Sequence, residues 1–171
     1  RSLITGYDFL TDAANAVQAE LEAGIGAAAD TLITPANLSP QAQDPAVWTG
    51  ADLSQALLGS RHDLVFLAGH FSASSALAAD YTTRLVTTDV VASPVNLINA
   101  IIFSAGCHSG YNIVNNHGIP NVTQEPDWAQ AFAQKGATFI GGTGYQYGDT
   151  DLIEYDERIY LEFSRQLRLG S

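Results

Sequence analysis

The chain has 171 residues, 46% of them hydrophobic and 15% charged, with a formal net charge of -11 and one lysine, Lys135. That length and balance suit one globular domain with a substantial core and exclude a disordered chain. The acidity excludes nucleic acid and anionic membrane surfaces as main partners, because both are held by clustered cations, whereas a basic substrate would be attracted.

There is a single cysteine, Cys107, so no intrachain disulfide forms. No apolar run approaches membrane-spanning length. The chain starts at Arg1 and contains no methionine, and it reads as one domain (1–171) excised from a longer protein. The expected location is extracellular or at the cell surface, with any secretory signal upstream of Arg1.

In chain order, Asp8 to Ala23 carries Phe9, Ala13, Ala16, Val17 and Leu21 at helical spacing, with Thr11 or Asp12 at the start and Gly24 at the end. Thr31 to Thr34 suits a short strand. Pro35 to Gly50 holds three prolines and reads as a loop. Thr49 and Asp52 open a helix that runs through Leu58 and stops at Gly59-Ser60. The run Asp63 to His70 is the next strand. Phe71 to Tyr81, rich in serine and alanine, is expected as a loop or short helix over the sheet edge. Thr82 to Val91 suits a hairpin or edge excursion. Ser93-Pro94 is expected to start a short helix through Asn99. Ala100 to Cys107 is a further strand, Tyr111 to Gln124 a loop, Glu125 to Lys135 a helix and Gly136 to Thr143 a strand. Asp149 to Leu169 is expected as an amphipathic helix whose apolar face is Leu152, Ile153, Ile159, Tyr160, Phe163 and Leu167. This alternation predicts an α/β protein, a three-layer α/β/α sandwich with a mostly parallel sheet.

Two of these runs end in reactive side chains. Asp63-Leu64-Val65-Phe66-Leu67-Ala68-Gly69-His70 ends in an imidazole. Ala100-Ile101-Ile102-Phe103-Ser104-Ala105-Gly106-Cys107 ends in a thiol. Apolar runs of this length suit strands buried on both faces of a parallel sheet, and neighbouring parallel strands open onto one crevice. A histidine there takes the thiol proton and later protonates a leaving amine. Backbone N–H groups of Gly69, Phe71 and Cys107 are candidate oxyanion donors. The structural alternative is that Cys107 is a small buried hydrophobe and His70 a satisfied strand-end residue. His108 is the rival base, disfavoured because strand neighbours face opposite sides. His62 and His117 are expected on loops or near the surface. Zinc bound by His70, Cys107, His108 and His117 matches no recurrent spacing, so no metal site is assigned.

The block HDLVFLAGHFSASSALAAD followed by LINAIIFSAGCHSGYNI resembles the gingipain-type cysteine peptidases of the caspase-like clan. There one strand ends at the catalytic histidine and a later one at the catalytic cysteine. His70 and Cys107 hold those positions in that order, and GATFIGGTGYQYGDTD is similar to the strand that follows. The resemblance runs from about Gly6 onward. It implies a caspase-like fold and a cysteine endopeptidase acting on a polypeptide substrate through a thioester acyl-enzyme. No cofactor is required. Calcium is possible, as in some relatives, although the acidic run Asp149, Asp151, Glu154, Asp156 and Glu157 lacks a calcium-loop spacing. Other domains of the same precursor are possible partners. One departure stands out: many clan members have glycine directly after the histidine, and here it is Phe71. The alternative is a non-catalytic interaction domain that keeps the fold. A basic residue before the scissile bond is expected from the acidity and the resemblance, with Asp44, Asp149 and Asp151 as carboxylate partners and Tyr145 and Tyr147 as aromatic walls.

Overall fold

The computed structural model of the protein describes residues 1–39, 44–112 and 125–170. The strands are β1 (Ser2–Gly6), β2 (Asp30–Ile33), β3 (Leu64–Leu67), β4 (Ser75–Leu77), β5 (Arg84–Val86), β6 (Ile101–Ser104) and β7 (Thr138–Gly141). The helices are α1 (Thr11–Ile25), α2 (Gly50–Leu58), α3 (Thr87–Ala92), α4 (Trp128–Gln134) and α5 (Tyr155–Leu169). Five strands form one parallel sheet in the order β2-β1-β3-β6-β7, and β4 with β5 makes a separate antiparallel hairpin.

Side chains alternate across the sheet, as the strand period requires. Leu3, Val65, Leu67 and Ile102 meet Leu53 and Leu57 of α2 and Trp128 and Phe132 of α4 on one face. Ile4, Phe66 and Phe103 meet Val17 and Leu21 of α1 and Tyr160 of α5 on the other. Each such side chain contributes about 1.5–3 kcal/mol on burial, so a strand apolar on both faces is stable only between two helical layers. The result is the expected α/β/α sandwich. Capping boxes start two of the helices: Thr49 with Asp52 on α2, and Asp127 with Gln130 on α4.

The structure corrects several expectations. β1, a fully buried strand, lies between β2 and β3, where no strand was read from the sequence. Phe71 to Tyr81 is neither plain loop nor helix but carries β4, and Thr87 to Val91 is helical rather than extended. No helix forms from Ser93 to Asn99. The Ser93 hydroxyl accepts from Val95 N–H at 3.1 Å and the Asn96 side chain accepts from Ile98 N–H at 3.0 Å. These local turns outcompete helix. Asp149 does the same before α5, taking the N–H groups of Asp151 and Leu152, so that helix begins at Tyr155 rather than Asp149. Its buried face is Glu157, Tyr160, Leu161 and Ser164, with Ile159 62% exposed. His62 lies on the loop before β3, one of its two expected settings, but it is buried. It is 1% exposed and its Nε2 lies 2.7 Å from Asp30 Oδ2. His117 and the Tyr111 to Gln124 loop from residue 113 onward lie outside the described residues.

Candidate active site

The C-terminal edge of the parallel sheet gathers four segments. Leu67 on β3 pairs with Ser104 on β6, and three residues beyond each come His70 and Cys107. Equal offsets on adjacent parallel strands bring imidazole and thiol to one edge, where open α/β sheets bind ligands. The two segments close tightly: a Cβ added to Gly106 would lie only 2.2–2.6 Å from Cδ2, Cγ and Cβ of Phe71. Phe71 in turn packs on Trp128, with ring centroids 5.5 Å apart. Gly69 turns the chain at φ 158°, a conformation that favours glycine, and a Cβ there would lie 2.6 Å from the Tyr7 ring.

His70 is held from the β1 side. Its Nε2 lies 3.2 Å from Asp8 Oδ2 and 3.3 Å from the Tyr81 hydroxyl, which itself donates to Asp8 Oδ2 at 2.5 Å. Its backbone N–H donates to the Tyr7 hydroxyl at 3.0 Å, and Tyr7 donates onward to the Leu77 carbonyl at 2.7 Å. Burial first, and then nearby negative charge, keep the Tyr7 hydroxyl protonated far above its ordinary range, as a donor must be. Burial and the Asp8 hydrogen bond raise the Tyr81 hydroxyl likewise. Asp8 and Tyr81 both sit at positive φ, 58° and 53°. Such backbone strain on non-glycine residues collects at functional sites. Among the described residues, Nδ1 of His70 makes no hydrogen bond, so it is the nitrogen free for proton transfer.

Cys107 is half-buried and is held from the β7 side. The Gln146 N–H donates to its sulfur at 3.4 Å, and the thiol donates to the Gln146 carbonyl at 3.6 Å. Among the described residues, no hydrogen bond joins His70 to Cys107. The N–H groups of Gly69, Phe71 and Cys107 likewise take no hydrogen bond there, which leaves them free to donate.

The remaining candidates separate. His108 is past the strand end, at φ 56°, with Nδ1 3.2 Å from the Thr143 carbonyl and its ring 4.6 Å from that of Tyr145. Strand alternation is therefore not what removes it from Cys107; a turn and the Thr143 contact do. Tyr145 thus stands beside the thiol segment, 71% exposed, and Tyr147 is 66% exposed. Among the described residues, none of the three acidic candidates makes a hydrogen bond or ion pair with His70 or Cys107. Asp44 accepts from Ala46 N–H at 2.8 Å and Asp149 caps its own turn, while Asp151 is exposed. The carboxylate at the site is Asp8, which the sequence reading placed at a helix start. Among the described residues, no three His, Cys, Asp or Glu side chains gather as a metal site; within the acidic run, the Asp149, Asp156 and Glu157 carboxylates accept backbone N–H groups.

Fold and edge together define a caspase-like α/β/α architecture. Among solved structures, the chain is similar to the Arg-specific cysteine proteinase gingipain R (RgpB), at 18% identity and a TM-score of 0.59, covering 99% of this chain and 36% of that one. It is also similar to a complex of the pro- and mature domains of RgpB from Porphyromonas gingivalis, at 16% identity and a TM-score of 0.58, covering 98% and 36%. The chain thus spans about a third of the length of those proteins. At this identity the likeness shows the fold. No protein-family model and no curated protein matches the sequence.

Proposed function

We propose that the domain is a cysteine endopeptidase in which Cys107 is the nucleophile and His70 the acid–base residue. The observation that carries this is the register of β3 and β6, which delivers the two side chains at equal offsets to one sheet edge. Cys107 Sγ forms a bond to the scissile carbonyl carbon as its proton passes to His70 Nδ1. The carbonyl electrons move to oxygen, facing the free N–H groups of Gly69, Phe71 and Cys107. Collapse expels the amine, which takes the proton from His70 and leaves a thioester. Water, deprotonated by the same imidazole, then releases the acid and regenerates the thiol. Asp8 and Tyr81 orient the ring through Nε2, and no cofactor enters.

The reading extends to a basic residue before the scissile bond. A cavity of about 100 Å³ beside His70 is lined by Tyr7, Asp8, Thr34, Leu38 and Tyr81 among others. Asp8 supplies the carboxylate a cationic head needs, and the tyrosines supply aromatic walls. The similarity to an Arg-specific proteinase supports the same preference, and the complex of pro- and mature domains supports other domains of a precursor as partners.

The engagement of the thiol by Gln146 rather than by His70 favours the second reading, a non-catalytic interaction domain. Hydrolysis of a peptide library by the wild type and by Cys107→Ala separates the two. Turnover that is lost with the thiol, with cleavage after arginine or lysine, is the expected result. No turnover in the wild type under any peptide context supports the interaction domain.

A further inference from the structure

The segment after β7 runs back along the segment after β6. Gly110 N–H donates to the Gly142 carbonyl at 2.9 Å and His108 N–H to the Gly144 carbonyl at 2.8 Å. The next rung is the thiol itself, held between the N–H and the carbonyl of Gln146. Both hydrogen-bonding roles of the Cys107 thiol are thereby occupied by the Gln146 backbone. A sulfur engaged on both sides by one backbone segment is poorly placed to approach a substrate carbonyl.

The same segment is fastened on its far side to α5. Tyr160 donates its hydroxyl to Gln146 Oε1 at 3.0 Å. Tyr147 N–H donates to Asp156 Oδ2 at 2.7 Å, and Asp156 N–H returns a bond to the Tyr147 carbonyl at 3.2 Å. Asp149 N–H donates to Glu157 Oε2 at 3.1 Å. Asp156, Glu157 and Tyr160 fall within the first two turns of one helix, so a single rigid element carries all three fastenings.

We propose that residues 142–149 are a strap that closes over Cys107 and is latched to α5 by Asp156, Glu157 and Tyr160, so that the thiol reacts only when the strap lifts. The inference deepens the peptidase reading and rests on it: the device is a gate on the proposed nucleophile. In the closed state Gln146 fills the hydrogen-bonding space that a substrate backbone would need. Tyr160 is a positioning residue, acting on the thiol through Gln146.

The test is the rate of Cys107 alkylation by iodoacetamide, clean because the chain has one cysteine. The limiting rate at high pH is compared, so that shifts in thiol ionisation do not enter. Tyr160→Phe keeps the ring packed on Phe66 and Phe103 and removes only the latch. It and Gln146→Ala should each raise the rate roughly two- to tenfold, the range one hydrogen bond spans. Combined, they should give no more than either alone, because both delete the same bond. Asp156→Ala, removing a separate latch, should raise the rate independently. Rates equal to wild type in all three, or full additivity of the first two, overturn the strap. The dyad is read separately: His70→Ala should lower the rate near pH 7. If it does not while the latch variants still accelerate labelling, the peptidase reading falls and the strap stands.

Discussion

Glu157 is the most exposing test of the physical account, because its carboxyl is fully buried with one oxygen unpartnered. Oε2 accepts from Asp149 N–H, while among the described residues Oε1 has no hydrogen-bond donor. Burial, then the charges of Asp12 and Asp149, push the group from 4.5 up to about 7. Its place in the first turn of α5 acts the other way, but a helix terminus is worth only about 0.3–1 kcal/mol. Moving a carboxyl this far means that ionising it in the folded protein costs roughly 3 kcal/mol more than in the unfolded chain. The sign follows from linkage. Below 4.5 the group is protonated in both states and the penalty is absent. As pH rises from 4.5 through 7 the unfolded chain releases its proton first, so stability falls and then levels off. Glu157→Gln keeps the shape and removes the charge. Its melting temperature relative to wild type should therefore climb between pH 4 and pH 8, by about 6–10 °C for a chain of this size. Comparing the difference at two pH values cancels any constant packing cost of the amide. A difference that stays flat across that window, or a wild type that gains on the variant at pH 8, would refute the burial argument.

Three further outcomes follow from the site. Asp8→Asn keeps a residue that tolerates positive φ but deletes the charge facing His70 and Tyr81, so kcat/KM on a peptide ester should fall about 10- to 100-fold with the fold intact by circular dichroism. Tyr7→Phe leaves the Leu77 carbonyl and the His70 N–H unpaired, and urea titration should show a loss of about 1–3 kcal/mol. Gly106→Ala forces Phe71, its Cβ as well as its ring, to move and should cost about 1–3 kcal/mol by overpacking in the same urea titration; a variant as stable as the wild type would rule out that close approach.

The sequence was legible where one physical signal dominated. β3 and β6 are apolar on both faces, so a doubly buried parallel strand was the natural reading, and equal offsets to His70 and Cys107 could be counted along the chain. The capping pair Thr49 and Asp52 marked α2 in the same direct way. β1 escaped because two of its five residues are polar, and the burial of Thr5 depends on a partner far away. The Thr5 hydroxyl accepts from Ala68 N–H at 3.1 Å.

The same dependence on distant partners explains what the sequence left unseen around the site. His62 and Asp63 look like solvated turn residues until Asp30, on the edge strand, supplies the buried imidazole with a carboxylate. Asp8 looks like the first residue of a helical stretch until Tyr81, 73 residues on, donates to it and fixes it against His70. Asp149 and Asp44 looked available to a substrate, yet short carboxylates near backbone N–H groups satisfy their own chain first. Long-range pairing decided which acids serve the site and which serve local turns. The residue types that carry the proposed chemistry are therefore readable from strand ends, whereas those that orient it become visible only once the sheet has brought β1 beside β3.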